Sequence, residues 1–194
     1  DSYNGDFNEI KNNLNQCIDA VELLISDAVV LSNAAVEGKP DFRADPTRHQ
    51  GDFRKIVEGV NDTLDSVIGP LNVAAEYVDS ISKGDIPPKI TDSYNGDFNE
   101  IKNNLNQCID AIELLISDAV MLSNAAVEGK LDTRADATRH QGDFRKIVEG
   151  VNDTLDSVIG PLNVAAEYVD SISKGDIPPK ITDSYNGDFN EIKN

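Results

Sequence analysis

Two residue types in this sequence could carry acid–base, nucleophilic or metal chemistry, and each occurs as a repeated pair. His49 and His140 lie in polar segments that read Thr-Arg-His-Gln-Gly-Asp-Phe, where a phosphate acceptor or a pH sensor is conceivable. An exposed loop histidine is the better interpretation. Cys17 and Cys108 lie 91 residues apart on an apolar stripe, where we expect small buried thiols.

No catalytic constellation surrounds these residues. Neither Cys-x-x-Cys nor mixed Cys/His ligand spacings occur, so we expect no metal site. Glycine-rich phosphate loops are missing too, and the carboxylates are scattered along polar helix faces. We therefore expect no cofactor and no enzyme activity.

The charge of the chain restricts its partners. Its 194 residues carry a formal net charge of −18, which repels phosphate backbones and anionic lipid surfaces alike, so we expect no nucleic-acid partner. No apolar stretch approaches the roughly 20 residues that span a bilayer. We expect no direct membrane insertion and a cytoplasmic location, either alone or as the cytoplasmic part of a membrane receptor.

The elements that must position any site are repeated. Residues 1–91 recur as 92–182 with five changes, and 183–194 begin a third copy, so we expect a piece of a longer array. Each 91-residue unit contains two weaker halves, because Gly-Asp-Phe begins at residues 5, 51, 96, 142 and 187. The module is therefore about 45 residues long.

Hydrophobic periodicity predicts that these modules are helical. Apolar or small residues recur at alternating steps of three and four, which is the pattern of a coiled-coil seam. One half shows it at Phe98, Ile101, Leu105, Cys108, Ile112, Leu115, Ala119, Leu122 and Ala126, and the other at Phe53, Val57, Val60, Leu64, Val67, Leu71, Ala74, Val78 and Ile81. Flanking apolar residues widen the stripe, which favours a four-helix bundle.

Turn residues mark the limits of the helices. Gly-Asp before each stripe places a carboxylate where it could cap the helix N-terminus, and a glycine follows each helix. We predict helices over 6–37, 52–83, 97–128 and 143–174, a fifth beginning at Asp188, and connectors of 13–14 residues. Such connectors are long enough to run back along half a helix and start the next helix in parallel. Antiparallel packing of the spectrin type remains open.

The connectors carry the residues through which the chain resembles a family. The order is an apolar helix, then Gly-x-apolar-x-x-x-apolar, then a helix that opens with an acidic and an apolar residue. The two connector types read Gly84-x-Ile86-x-x-x-Ile90 and Gly129-x-Leu131-x-x-x-Ala135. This order is similar to that of HAMP domains, and above all to the tandem arrays of bacterial methyl-accepting chemotaxis proteins.

The resemblance implies an all-α fold, a parallel four-helix coiled coil formed by a homodimer, in which one module's second helix continues into the next module. The implied boundaries are 1–20 for a truncated module, 21–66, 67–111 and 112–157 for complete modules, and 158–194 for a module truncated in its second helix. Implied partners are the second chain, the adjacent modules, and sensor and output domains of the same chain.

The resemblance also implies which residues take part in the relay. The connector residues are Gly84, Ile86, Ile90, Gly129 and Leu131, and those opening the second helices are Asp97, Phe98, Asp143 and Phe144. Pro70 and Pro161 stand where the family commonly begins the first helix. Because proline removes a backbone hydrogen bond inside a helix, we expect a compliant joint there.

We therefore expect a non-catalytic signal relay segment of a bacterial chemoreceptor or related sensor, which passes conformational change between coupled helical bundles. A mechanical spacer or a self-assembling coiled-coil filament is the alternative. Nearly identical copies would allow two chains to pair after slipping by one whole repeat, and the slipped ends could recruit further chains.

Overall fold

The computed structural model describes residues 5–193, and its regular elements in that range are helical, with no strand. The helices are α1 (Asp6–Val36), α2 (Gly51–Ser82), α3 (Gly96–Val127), α4 (Gly142–Ser173) and the short α5 (Phe189–Lys193). The four long helices agree with the predicted limits to within one residue at each end. The all-α fold predicted from the periodicity is confirmed.

The chain forms two compact units, divided between Leu105 and Asn106. Two kinds of connector join the long helices. We call residues 37–50 and 128–141 the histidine connectors, and residues 83–95 and 174–188 the proline connectors. Each histidine connector contains a short 3₁₀ turn, at Pro46–Arg48 and at Ala137–Arg139.

Glycine ends the long helices as predicted. At the end of α2, Gly84 has a φ of 86°, and its N–H donates to the carbonyl of Ile81. The N–H of Asp85 donates to the carbonyl of Ser80 at 3.0 Å, which completes the double bond pattern of a Schellman cap. A side chain with a Cβ would be strained at this φ, so the turn away from the helix requires glycine.

The predicted capping role of the first-turn aspartates was wrong for α2. This helix begins at Gly51, so Asp52 is already its second residue, and the preceding cap residue, Gln50, makes no side-chain cap bond. The Asp52 carboxylate instead accepts a hydrogen bond from Lys55 Nζ at 2.9 Å. What remains of the prediction is an acidic first turn, where negative charge meets the positive end of the helix dipole.

Contacts of the first histidine connector give the direction of α2 relative to α1. His49, just before α2, lies against Asp27, about 14 Å before the end of α1 at 1.5 Å per residue. Ala44, in the middle of the connector, lies against Asn61, further along α2. The connector therefore runs back along α1 while α2 runs forward again, so the two helices are parallel. The equivalent contacts in the second unit give the same result for α3 and α4.

The core of the described chain is small. Its buried apolar residues are Ala34, Ala44, Val57, Ile68, Ile90, Ile109, Ala135, Val148 and Ile159. Much of the predicted apolar stripe stays exposed, including Leu71 at 48% and Val78 at 56%. The single chain therefore presents a wide apolar face that it does not cover itself.

The helices continue through their internal prolines. Pro70 lies inside α2 and Pro161 inside α4, and both side chains are half-buried. Helical backbone is thus maintained where we expected a compliant joint, and the compliance itself remains a prediction.

Candidate functional site

Each histidine connector is held to the following helix by one asparagine. In the first unit, Asn61 Nδ2 donates to the carbonyl of Ala44 at 2.8 Å, and the N–H of Ala44 donates to Asn61 Oδ1 at 3.3 Å. Ala44 is buried, with 7% of its surface exposed. Asn61 thus serves both polar backbone groups of a residue that has little access to water, which fixes the connector to α2.

An arginine adds a second attachment to α2. Arg43 forms an ion pair with Asp65 at 2.6 Å, and its Nη1 also donates to the carbonyls of Pro40 and Phe42. Asp65 is largely exposed, so water weakens the ion pair. The contribution of Arg43 is therefore mainly to hold the local backbone of the connector while its guanidinium remains close to α2.

A buried contact between a histidine and a carboxylate attaches the end of the same connector to α1. His49 Nε2 lies 2.8 Å from Asp27 Oδ2, and the two side chains are 1% and 10% exposed. Because an ionised carboxylate only accepts hydrogen bonds, the ring Nε2–H donates to it. Arg48 Nη1 donates to the other carboxylate oxygen at 3.1 Å. Asp27 therefore holds two successive connector residues.

The second unit repeats this arrangement with different connector residues around it. His140 Nε2 lies 2.7 Å from Asp118 Oδ2, and Arg139 lies 3.6 Å from Oδ1 of the same carboxylate. Asn152 bonds both backbone groups of Ala135, at 3.1 and 2.8 Å. We call Asp27–His49 and Asp118–His140 the buried pairs.

These contacts correct two interpretations of the sequence. The histidines are not exposed loop residues, and Asp27 and Asp118 do not belong to the solvated helix face. The reason is the path of the connector, which returns along the helix and lays its histidine on that helix. A signal for this exists in the sequence, since Asp27 interrupts the apolar run Leu-Leu-Ile-Ser-Asp-Ala-Val-Val-Leu. A carboxylate in such a run requires a partner.

The 3₁₀ turn before His49 is closed by an exposed aspartate. Asp45 accepts hydrogen bonds from the Thr47 hydroxyl at 2.7 Å and from the Thr47 N–H at 2.9 Å. These two bonds, with a smaller contribution from the positive charge of Arg48, lower the pKa of Asp45 below its ordinary value of 3.8. The ionised form of Asp45 is thus the form that orders the turn.

The proline connectors use apolar contacts. In the first one, Ile90 is buried, with 6% exposed, and Ile86 is half-buried. In the second, Ile177 is 90% exposed and Ile181 is half-buried. The first proline connector is therefore anchored at Ile90, whereas Ile177 of the second lies exposed.

A family model for the HAMP domain matches residues 1–23, 48–114 and 139–194, which is more than half of the chain. The chain belongs to the HAMP domain family. The resemblance drawn from the connector motif is confirmed, and the several matched segments make the chain a tandem HAMP array. HAMP domains relay signals in sensor proteins and are generally non-catalytic.

The extent of the match separates the two kinds of HAMP module. The segment 48–114 runs without interruption from the end of a histidine connector through α2 and a proline connector into α3. Residues 24–47 and 115–138 are not matched. These two stretches supply Asp27, Asp118 and the asparagine-bound Ala44 and Ala135. Each polar attachment of the histidine connectors therefore joins a residue outside the matched segments to a residue inside them.

The structure places the expected relay residues of the HAMP modules in three settings. Gly84 and Gly129 adopt positive φ at helix ends, while Asp97 and Asp143 lie exposed in first turns. Phe98 and Phe144 are half-buried. Leu131, an apolar residue of the connector motif, is 43% exposed, and the connector is held at Ala135. The relay role of these residues remains a prediction.

The cysteines differ from expectation. Cys17 and Cys108 are both exposed and form no disulfide. Cys17 borders an apolar surface made by Leu14, Ile18 and Val21. A thiol expected in the core therefore lies on the uncovered apolar face of the single chain.

The described part of the chain contains neither a grouping of metal ligands nor a membrane-spanning helix. Among residues 5–193, no three His, Cys, Asp or Glu side chains are grouped as a metal site would require. Within the same range, no helix has the length and apolar character needed to cross a membrane.

Proposed function

We propose that this chain is the relay segment of a chemoreceptor or a related sensor protein, on the cytoplasmic side of the membrane. In this proposal two chains pair in parallel, and each HAMP module becomes a four-helix bundle with two helices from each chain. Sensor and output domains belong to the same polypeptide. The observation that carries the proposal is the wide apolar face that one HAMP chain leaves exposed.

The pairing is supported by where that face lies. Leu71, Val78, Val60 and Val67 are between 41% and 56% exposed, and all belong to the three-four seam predicted from the sequence. A second parallel chain would place the same residues opposite each other, which is the arrangement of a coiled coil. Exposed apolar area of this extent on one helix indicates an interface.

The relay is supported by how one helix serves two connectors. In the second unit, α4 contacts the histidine connector through Asn152 and Asp156. Directly after Asp156, the α4 residues Ser157, Val158 and Pro161 border a groove with Tyr185 of the following proline connector. A shift of α4 along its axis would therefore displace its contacts with both connectors, which provides a physical route for coupling.

The oligomeric state tests the pairing. Analytical ultracentrifugation should find a discrete dimer. Leu71→Glu should weaken it about 100-fold, because two seam leucines each lose about 1.5 kcal/mol of apolar burial. Glu76→Gln, an exposed change on the same helix, is the control and should leave the dimer unchanged. A monomer at all concentrations would refute the pairing, and concentration-dependent polymers would favour the filament.

A chimera tests the relay. The chain would join a ligand-responsive sensor domain to a histidine autokinase domain, and kinase activity would be measured with and without the ligand. A relay predicts that the ligand changes the activity and that Leu71→Glu abolishes this change. Constant activity in a dimeric chimera would show a mechanical spacer instead.

A further inference from the structure

The buried pairs occur in alternate modules only. When the modules are aligned on Gly-Asp-Phe, the position of Asp27 is taken by Val73 in the next module. The position of His49, two residues before the glycine, is taken by Tyr94. The third and fourth modules repeat the alternation with Asp118 and His140, then Val164 and Tyr185. An aspartate–histidine pair thus alternates with a valine–tyrosine pair at the same two positions of successive modules.

Both connector types end at the same place on the preceding helix. In the first unit, His49 and Phe53 border a groove against Ala20 and Leu23 of α1. In the second unit, Tyr185 and Phe189 border the corresponding groove against Ser157 and Pro161 of α4. Ala20 and Ser157 occupy equivalent positions in the repeat, as do His49 and Tyr185. The two connector types therefore differ in the chemistry of a contact whose location they share.

That chemistry sets how far the helices can slide. The His49–Asp27 bond is 2.8 Å long, and a displacement of about 1.5 Å, one residue of helix rise, would stretch it or turn it out of line, depending on the direction of the shift. The carboxylate, 10% exposed, would then have a weaker bond to its main partner at a buried site, which is unfavourable. Contacts of valine and tyrosine are non-directional and can be kept through shifts of this size.

We propose that the buried pairs fix the axial offset between successive helices in the histidine-connector modules, so that the offset changes during signalling occur at the proline connectors. This inference rests on the proposed relay function. Helix shifts of about 1–2 Å are typical of switching proteins, which is the range that a buried pair opposes and an apolar contact permits. Each histidine-connector module then transmits the helix shift as a rigid unit.

Pulsed electron–electron resonance on the full chain can measure the two offsets separately. After replacement of Cys17 and Cys108 by serine, one sample carries spin labels at exposed Asn15 and Asp62, across a histidine connector. The other carries them at Asp62 and Asn103, across a proline connector. Dilution with unlabelled chain restricts the signal to distances within one chain.

We expect the first distance distribution to be narrower than the second. The exchange D27V/H49Y should widen the first by about 2 Å, the scale of a helix shift. The reverse exchange V73D/Y94H should narrow the second. Equal widths in the parent chain, or exchanges that leave both widths unchanged, would overturn the proposal.

Two further results keep the test decisive. If circular dichroism shows that D27V/H49Y does not fold, H49Q still tests the pair, because its amide can donate to Asp27 and should keep the narrow distribution. A wide distribution in folded H49Q would contradict the proposal.

The chimera separates this inference from the relay function. If the two distance distributions differ in width but the chimera transmits no signal, the relay function alone is refuted. If the two distributions have equal widths in a chimera that transmits, this inference alone is refuted.

Discussion

Replacing Asn61 with alanine should release the first histidine connector from α2 while leaving the helices intact. The substitution removes the hydrogen bonds at 2.8 and 3.3 Å that serve the carbonyl and the N–H of Ala44. Ala44 is 7% exposed, so water replaces these bonds only when the connector moves away. The expected effect is therefore local opening of residues 37–50.

The size of the effect follows from the two bonds. A typical net contribution of about 1 kcal/mol for each gives about 2 kcal/mol for the pair, or about a 30-fold higher population of the open connector. The estimate is for one connector only, because Asn152 holds the other one through its own bonds to Ala135. The asparagine contacts lie within separate units and should act independently.

Hydrogen exchange read by mass spectrometry can separate the two connectors in one sample. Residues 40, 42 and 46 differ from their counterparts 131, 133 and 137, so peptides from the two connectors have different masses. In Asn61→Ala, the connector 37–50 should exchange about 30-fold faster at pH 7, and 128–141 should exchange at the parent rate. Asp62→Ala, an exposed neighbour, is the control. Equal exchange in both variants would refute the clamping role of Asn61.

Two other predictions concern the 3₁₀ turn and a helix end. Thr47→Ala removes the hydroxyl bond that lowers the pKa of Asp45, so carboxyl NMR titration should show this pKa rising toward 3.8. The contribution of Asp45 to stability is fully present above its ordinary pKa and is lost as the pH falls through the lowered value. Thr47→Ala should therefore reduce this contribution at pH values above the ordinary pKa. An unchanged titration midpoint for Asp45 would contradict the assignment. In urea unfolding, Gly84→Ala should cost about 1–2 kcal/mol because its φ is 86°. Gly59→Ala, inside α2 with open space around it, should stabilise the folded protein by about 0.5–1 kcal/mol. Equal effects of the two substitutions on the free energy of unfolding would refute the argument that the positive φ of Gly84 requires glycine.

The helices could be predicted because their signals are local. The three-four spacing of apolar residues and the glycine after each stripe act within a few residues of chain, and the helix limits followed from them. Predicting the parallel direction required one more step, a comparison of the length of the connector with the length of a helix. The contacts of His49 with Asp27 and of Asn61 with Ala44 together confirm the direction that this length favoured.

The attachments of the histidine connectors could not be predicted from such signals. Asp27 and His49 are 22 residues apart, and only the returning path of the connector brings them together. Exposure of the cysteines was missed for a different reason. Because Cys17 lies on the apolar stripe, its position predicts that it faces another helix. The described chain leaves that face uncovered. A residue on the stripe therefore need not be buried within a single chain.

The two copies allow the residues that shape the histidine connector to be separated from those that merely occupy it. Pro40, Phe42 and Pro46 in the first copy become Leu131, Thr133 and Ala137 in the second. The 3₁₀ turn nevertheless forms in both, although proline opens it only in the first. In each case an aspartate accepts from the N–H two residues on, Asp45 from Thr47 and Asp136 from Thr138. The aspartate and the threonine, rather than the proline, therefore determine the turn that delivers the histidine to its buried carboxylate.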